Sequence, residues 1–213
     1  MDVKVFSDNI VKANMYVLEY NDRAIIVDPS IFDSSLIDCK VEYILLTHEH
    51  FDHISAVNYW KERTGAKVIC SKNCQIGLEN PAKNFSRYFK EFCYLQNMIK
   101  VSCEVKNEEY RCFSDIVFEN QFSFIWNSNE FFLFETPGHS KGSTCILVNN
   151  KLLFCGDTLF KDFPIATGLP GGSKKQWLNE SKPKLESLPK ELMVYPGHFQ
   201  SFVLGKYKFW EMI

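Results

Sequence analysis

The sequence contains no run of about 18 apolar residues, so no membrane-spanning helix is expected. It carries little net charge, −2 from 24 basic and 26 acidic residues, which argues against a nucleic-acid footprint or a membrane-surface patch. Its first residues, Met1 to Phe6, lack the apolar stretch and small-residue cleavage site of a signal peptide, so a cytoplasmic location is expected. There are eight cysteines but no C-x-x-C pair, and reduced thiols are the expectation in that compartment. Cys145 and Cys155, inside apolar strand patterns, read as small core residues, while the group from Cys70 to Cys112 matches no structural zinc spacing. Histidine is scarce too, at five in 213 residues, and the places where those five fall carry most of the functional signal.

Three of them lie in one stretch, Thr47-His48-Glu49-His50-Phe51-Asp52-His53. The apolar segment Val41 to Leu46 before it reads as a buried strand, and the segment from about Ile54 to Arg63 after it reads as a helix. The cluster therefore sits on a loop at a strand end, where sites are usually built. Two residues apart on extended chain, His48 and His50 point the same way. Asp52 and His53, where the chain turns into the helix, are free to point elsewhere. Glu49, between the two histidines, is expected to face away, as a supporting or surface group. Incidental polarity of a loop does not account for three imidazoles and a carboxylate this close, a combination that reads as a metal or catalytic site.

The remaining chain supplies matching points. Val3 to Phe6, Met15 to Tyr20 and Ala24 to Val27 read as strands, the last two as a hairpin about Asn21-Asp22. That hairpin ends at Asp28-Pro29-Ser30, where Asp28 is either a turn carboxylate or a support for the metal loop. Phe32 to Cys39 reads as a short helix, and Lys67 to Cys70 as a strand. Strands return at Ile116, with hairpins over Phe122–Trp126 and Glu130–Glu135, then Cys145–Val148 and Leu152–Cys155. Trp177 to Leu188 reads as a helix with Pro183 as a kink or break, and Glu191 to Tyr195 as the last strand. His139, Asp157 and His198 each follow one of these strands, flanked by Gly or Pro that lets the backbone turn tightly. Counting donors gives His48, His50 and His139 for one metal, Asp52, His53 and His198 for a second, and Asp157 as a bridge. Neutral nitrogen with a few carboxylates suits two Zn2+, with Fe or Mn as alternatives.

One domain over 1–213 is expected, with about 71–115 as an irregular insertion that either packs on the core or covers the cleft. Within it Phe85, Tyr88, Phe89 and Phe92 recur at i, i+3, i+4 and i+7, one face of a helix that either packs on the core or walls the substrate cleft.

These motifs, T-H-x-H-x-D-H, T-P-G-H-S at Thr136–Ser140, G-D-T-L-F at Gly156–Phe160 and Y-P-G-H at Tyr195–His198, resemble the metallo-β-lactamase superfamily. Together with Leu169-Pro-Gly-Gly-Ser173 they are most similar to its glyoxalase II-like branch. The resemblance runs from Asp28 to His198 and implies an α/β fold, a four-layer αββα sandwich of two mixed β-sheets flanked by helices. It implies a dinuclear-metal hydrolase of thioesters or esters acting through a metal-activated water, with Asp52 both ligand and catalytic orienter. Polar groups with which that branch grips glutathione are missing. The C-terminal helical domain of full-length glyoxalase II has no counterpart before the chain ends, and Ile165-Ala166-Thr167-Gly168 stands where the branch has Gly-Arg-x-Asp. Phe199 stands where the branch has Gly after the last ligand. With Phe160, Phe163 and Phe85 to Phe92, it suggests an apolar pocket.

The expected partner is a small-molecule thioester or ester, with no nucleic acid and no membrane. The chief alternative is a mononuclear iron persulfide dioxygenase using His48, His50, His139 and Asp157; a lactonase and a tRNA-processing nuclease rank below it. A β-lactamase is disfavoured because its second site lacks a bridging carboxylate like Asp157.

Overall fold

Side-chain alternation decides how this chain stacks its sheets. β1 (Asp2–Ser7) pairs antiparallel with β2 (Asn14–Tyr20), in which Met15 and Val17 face one side, Tyr16 and Leu18 the other, and all four are buried. β3 (Arg23–Val27) repeats this with Ala24 and Ile26 against Ile25 and Val27. Strands buried on both faces need a layer above and a layer below.

The computed structural model, which describes residues 1–95 and 105–206, supplies both. One six-stranded sheet continues from β3 through β4 (Lys40–Leu45), β5 (Lys67–Ser71) and β6 (Ile116–Phe118), with β3 to β6 parallel. The other holds β7 (Gln121–Trp126), β8 (Asn129–Glu135), β9 (Thr144–Val148), β10 (Leu152–Gly156), β11 (Met193–Pro196) and β12 (Phe202–Val203), side by side in that order. Only β10 and β11 pair parallel there. Between the sheets, Leu18, Ile25, Leu45 and Ile69 meet Phe131, Leu133, Ile146 and Phe154.

Helices close the outer faces. α1 (Phe51–Ile54), α2 (Val57–Thr64) and α3 (Lys72–Leu78) lay Ile54, Val57, Trp60 and Leu78 on the first sheet. Trp60 is buried and its Nε1 donates to Ile31 O at 2.8 Å, so Trp60→Ala costs about 3–5 kcal/mol. α4 (Phe89–Leu95) packs Phe89 and Cys93 with Val11, Ala13 and Phe51. On the second sheet, α5 (Lys174–Gln176), a π-helical turn over Trp177–Ser181 and α6 (Lys182–Glu186) bury Trp177 and Leu185. The result is the helix–sheet–sheet–helix sandwich that the resemblance implied.

Several local expectations are corrected. The helix from Ile54 to Arg63 is two helices, because Ala56 N donates to Pro29 O at 3.0 Å and leaves the helical ladder. Phe32 to Cys39 holds only a three-residue 3-10 turn, Ser34–Leu36, capped by Asp33. The stretch Phe85 to Phe92 is not one helical face: Phe85 takes φ +66°, α4 starts at Phe89, and Tyr88 is exposed. The late helix starts at Lys174, and Pro183 sits in the first turn of α6, just behind the π turn with its rare i→i+5 bonding. Glu191–Tyr195 is not the last strand: pairing begins at Met193, and β12, too short to leave a sequence pattern, follows. Cys103 and part of the 71–115 stretch lie outside the described residues. No helix of the described residues is long and apolar enough to cross a membrane.

Candidate metal centre

Strand direction gathers the scattered donors. β8, β10 and β11 run the same way in the second sheet, as β3 and β4 do in the first. The residues after their C-terminal ends meet at one edge: Asp28, the His48–His53 loop, His139, Asp157 and His198. His48, His50 and His139 each offer a nitrogen, all within 4.8 Å of one another, and Asp52, His53 and His198 form a second such group. Asp157 stands between them: Oδ2 is 3.5 Å from His139 Nε2 and 3.6 Å from His198 Nε2, and Oδ1 is 3.4 Å from His53 Nε2. All seven residues selected from the sequence are thus brought together.

The backbone is shaped for this approach. A Cβ on Gly197 would lie 2.2 Å from Asp157 Oδ1 and 2.7 Å from His53 Cε1, so only glycine lets the last loop pass so near the cluster.

Asp28 fixes the first loop. Its Oδ1 accepts from Thr47 N at 2.8 Å and its Oδ2 from Thr47 Oγ1 at 2.5 Å. With its own proton committed to Asp28, Thr47 Oγ1 accepts from His48 Nδ1 at 3.0 Å, which leaves the His48 lone pair on Nε2. Asp28 Oδ2 also stands 3.3 Å from His53 Nδ1, an ion-pair contact on the side of the ring away from Nε2. Asp28, His48 and His53 also lie close enough to surround an ion; with Thr47 donating to both of its oxygens, Asp28 serves as a support of the metal loop. His139 Nδ1 donates to Ala166 O at 2.9 Å, so its Nε2 faces His50 Nδ1, also at 2.9 Å.

Electrostatics separate the imidazoles into two kinds. Burial, with other imidazoles nearby, pulls His48 well below its ordinary pKa and His50 down to about 3, so both are neutral donors. Burial also disfavours charge on His53, yet Asp52, Asp157 and Asp28 hold its pKa well above the ordinary value. Burial opposes ionisation of Asp52, but His53 and His198 hold its carboxyl down at about 2. The cluster therefore carries buried negative charge that a proton on His53 partly balances, and a cation fits that role. Buried polar atoms without a hydrogen-bond partner gather here, His48 Nε2, His50 Nε2, His53 Nδ1 and Asp157 Oδ1, which is unusual for native polar groups. By contrast, the groups of described residues that can surround an ion consist of His and Asp alone; Cys70, Cys74 and Cys112 pack in the core.

Sequence reasoning missed the supports. Asn14, buried at the start of β2, donates from Nδ2 to Pro196 O at 3.1 Å and Phe199 O at 2.9 Å, and Tyr16 Oη donates to Pro196 O at 2.6 Å. They hold the His198 loop from the other sheet; a buried Asn beginning an apolar strand was the available signal. Glu49 faces away from the donors but is no surface group: it is buried and Oε2 accepts from Ser140 Oγ at 2.8 Å. The cluster floors a cavity of about 530 Å³ lined by Phe85, Phe89, Phe92, Phe160, Leu169 and Phe199, with Lys12 and Gln200 at its wall. Phe163 stays outside, stacked on Phe199 with ring centroids 4.7 Å apart.

Comparison with known proteins points the same way. The model of the metallo-beta-lactamase superfamily matches residues 9–198. The probable metallo-hydrolase YqgX of Bacillus subtilis (strain 168) is 30% identical over 198 residues, 88% of this chain and 85% of its own. A hydroxyacylglutathione hydrolase of Enterobacter sp. (strain 638) is 26% identical over 216 residues, 98% of this chain and 68% of its own. Among solved structures, that of BLEG-1 B3 metallo-beta-lactamase superposes with a TM-score of 0.80 at 28% identity, covering 96% of this chain and 95% of that one.

Proposed function

The chain belongs to the metallo-β-lactamase superfamily, and we propose that within it the protein is a dinuclear-metal hydrolase of small-molecule thioesters or esters. The observation that carries this reading is Asp157, whose two oxygens reach toward both donor groups at once. Two divalent cations, zinc first by the donor set, would supply Lewis acidity and a water acidic enough to attack near neutral pH.

The chain's own residues do the rest. His48, His50 and His139 would hold one ion and Asp52, His53 and His198 the other, with the Asp157 carboxylate placed between the two groups. Asp52, kept ionised, accepts a hydrogen bond from the attacking water and fixes its direction. The Asp28–Thr47 pair and the Ala166 carbonyl keep His48 and His139 in their ligating tautomers. The aromatic walls exclude bulk water, which strengthens each charge interaction inside. No side-chain nucleophile is called on: burial pushes Cys112 and Cys145 up to about 12 and Cys155 well above the ordinary thiol range, so these thiols stay protonated and inert.

The test is metal analysis joined to activity screening. Protein reconstituted with zinc, iron or manganese should bind two ions per chain and hydrolyse members of a panel of thioesters, S-lactoylglutathione, lactones, a β-lactam and a phosphodiester. One iron per chain with persulfide oxidation, or turnover confined to the phosphodiester, would overturn the reading.

A further inference from the structure

Residues with positive φ divide sharply in this protein. Among the described non-glycine residues with φ > 0, all but Lys12, Phe85 and Phe199 are Asn or Asp, which tolerate the left-handed region, or Ser128 in the turn between β7 and β8. Lys12 (φ +62°), Phe85 (φ +66°) and Phe199 (φ +65°) do not share that tolerance, and all three line the cavity above the donor cluster. Left-handed backbone under a bulky side chain costs free energy and persists only where the surroundings impose it.

Each is imposed by a polar side chain. The Asp8 carboxylate accepts from the backbone N–H groups of Ile10, Val11 and Ala13 around Lys12. Asn84 Oδ1 accepts from Ser86 N at 2.9 Å just past Phe85, and Asn14 Nδ2 donates to the carbonyl of Phe199 at 2.9 Å. Deep burial does not account for them: Phe199 is 59% exposed and touches Phe160 and Phe163, Phe85 is half-buried beside Phe92, and Lys12 is exposed. Phe85 stands 4.7 Å from the His50 ring and Phe199 6.3 Å from the His198 ring, so one phenylalanine stands beside each donor group. Among the described residues no carboxylate pairs with Lys12.

We propose that Lys12, Phe85 and Phe199 form a substrate clamp: the two rings grip an apolar, aryl-bearing acyl group lying across the centre, and the Lys12 ammonium meets an anionic group on the leaving thiol. The proposal rests on the hydrolase reading and narrows its substrate to an anionic aryl-acyl thioester.

The experiment uses four substrates, the phenylacetyl and acetyl thioesters of 3-mercaptopropionate and of N-acetylcysteamine, with zinc-loaded wild type and the variants Phe85→Gly, Phe199→Gly, Phe199→Asn and Lys12→Asn. Ratios of kcat/KM within each pair cancel intrinsic reactivity. The phenylacetyl-to-acetyl preference should fall roughly five- to tenfold in the phenylalanine variants, the size of a lost aromatic contact. The mercaptopropionate preference should fall about threefold or more in Lys12→Asn, and the fall should fade at high ionic strength. Because these changes relieve strain, the metal-free variants should melt at or above the wild-type temperature. Unchanged ratios, or falls seen only together with a lowered Tm, would overturn the clamp. If wild type turns over none of the four, the hydrolase reading fails and calorimetry with the thioether 3-(2-phenylethylthio)propanoate decides the clamp alone. Its Kd should weaken by the same factors in the variants, and equal Kd values would overturn it.

Discussion

Two buried polar clusters lie back to back on the loop from Thr47 to His53, and they are built on opposite terms. On one face the imidazoles and carboxylates leave His48 Nε2 and Asp157 Oδ1 without hydrogen-bond partners. On the other, Glu49 Oε2 accepts from Ser140 Oγ at 2.8 Å, Ser140 Oγ lies 3.0 Å from Ser143 Oγ, and Ser140 N donates to Ser143 Oγ at 3.1 Å. Burial pushes Glu49 up to about 7, but its hydrogen bonds act against that. A closed network locks structure, while a cluster with idle lone pairs converging is organised for something further. The Glu49 side ties the His48–His53 loop to the His139 loop through the neighbours of His48, His50 and His139, so the closed cluster holds the open one in place.

The comparison breaks most severely at Asp157. Asp157→Ala removes the one carboxylate that serves both donor groups, so metal analysis should find one ion or fewer per chain and kcat/KM should fall by at least about 100-fold. Retention of two ions would remove the bridging role. On the Glu49 side no substitution should change the number of ions bound.

Asp28→Asn should have the next largest effect, through proton placement. An amide at this position that donates to Thr47 Oγ1 turns that hydroxyl toward His48 Nδ1 as a donor, and the imidazole proton then moves to Nε2, the atom needed for the metal. Zinc affinity should fall by about 10–100-fold, read by competition with a chromogenic chelator. Zinc itself should stabilise wild type by about 2.7 kcal/mol when present at about a hundred times its Kd, and a chelator should reverse the shift in Tm while far-UV dichroism below the transition stays unchanged. A smaller zinc-induced shift in Asp28→Asn at the same zinc concentration would agree with the chelator titration.

These supports also mark where the sequence was legible. Donor residues follow strands, and strands announce themselves by apolar runs, so His139, Asp157 and His198 could be placed at strand ends without a structure. The sandwich itself came from the resemblance, since alternation along β2 and β3 shows two buried faces but not what covers them. What could not be read was anything set by contacts distant in sequence. Asn14 lies 182 residues from Pro196, and no local pattern links them. The split between α1 and α2 depends on the Pro29 carbonyl, and the one-face reading of Phe85 to Phe92 failed because Asn84 imposes a left-handed turn that periodicity cannot register. Glu49 was half legible: alternation predicted that it faces away from His48 and His50, but not that Ser140 would meet it in the interior.

The smallest expected effect tests whether the closed cluster works by shape or by charge. Glu49→Ala strips the acceptor from Ser140 and opens space where a Cβ on Gly77 would now lie 2.4 Å from Glu49 Cγ. Stability should fall by about 1–3 kcal/mol for the unsatisfied groups alone. Glu49→Gln keeps the length, fills the same space and still offers Oε1 to the Ser140 hydroxyl. What it loses is one acceptor, because the amide nitrogen cannot accept from the Gly142 backbone. The net loss for that one bond should be about 1 kcal/mol, with the zinc content of wild type. Urea denaturation of the metal-free proteins separates the cases. A Gln variant as unstable as the Ala variant would mean that the buried charge, rather than the packed hydrogen-bonded shape, joins the two metal loops.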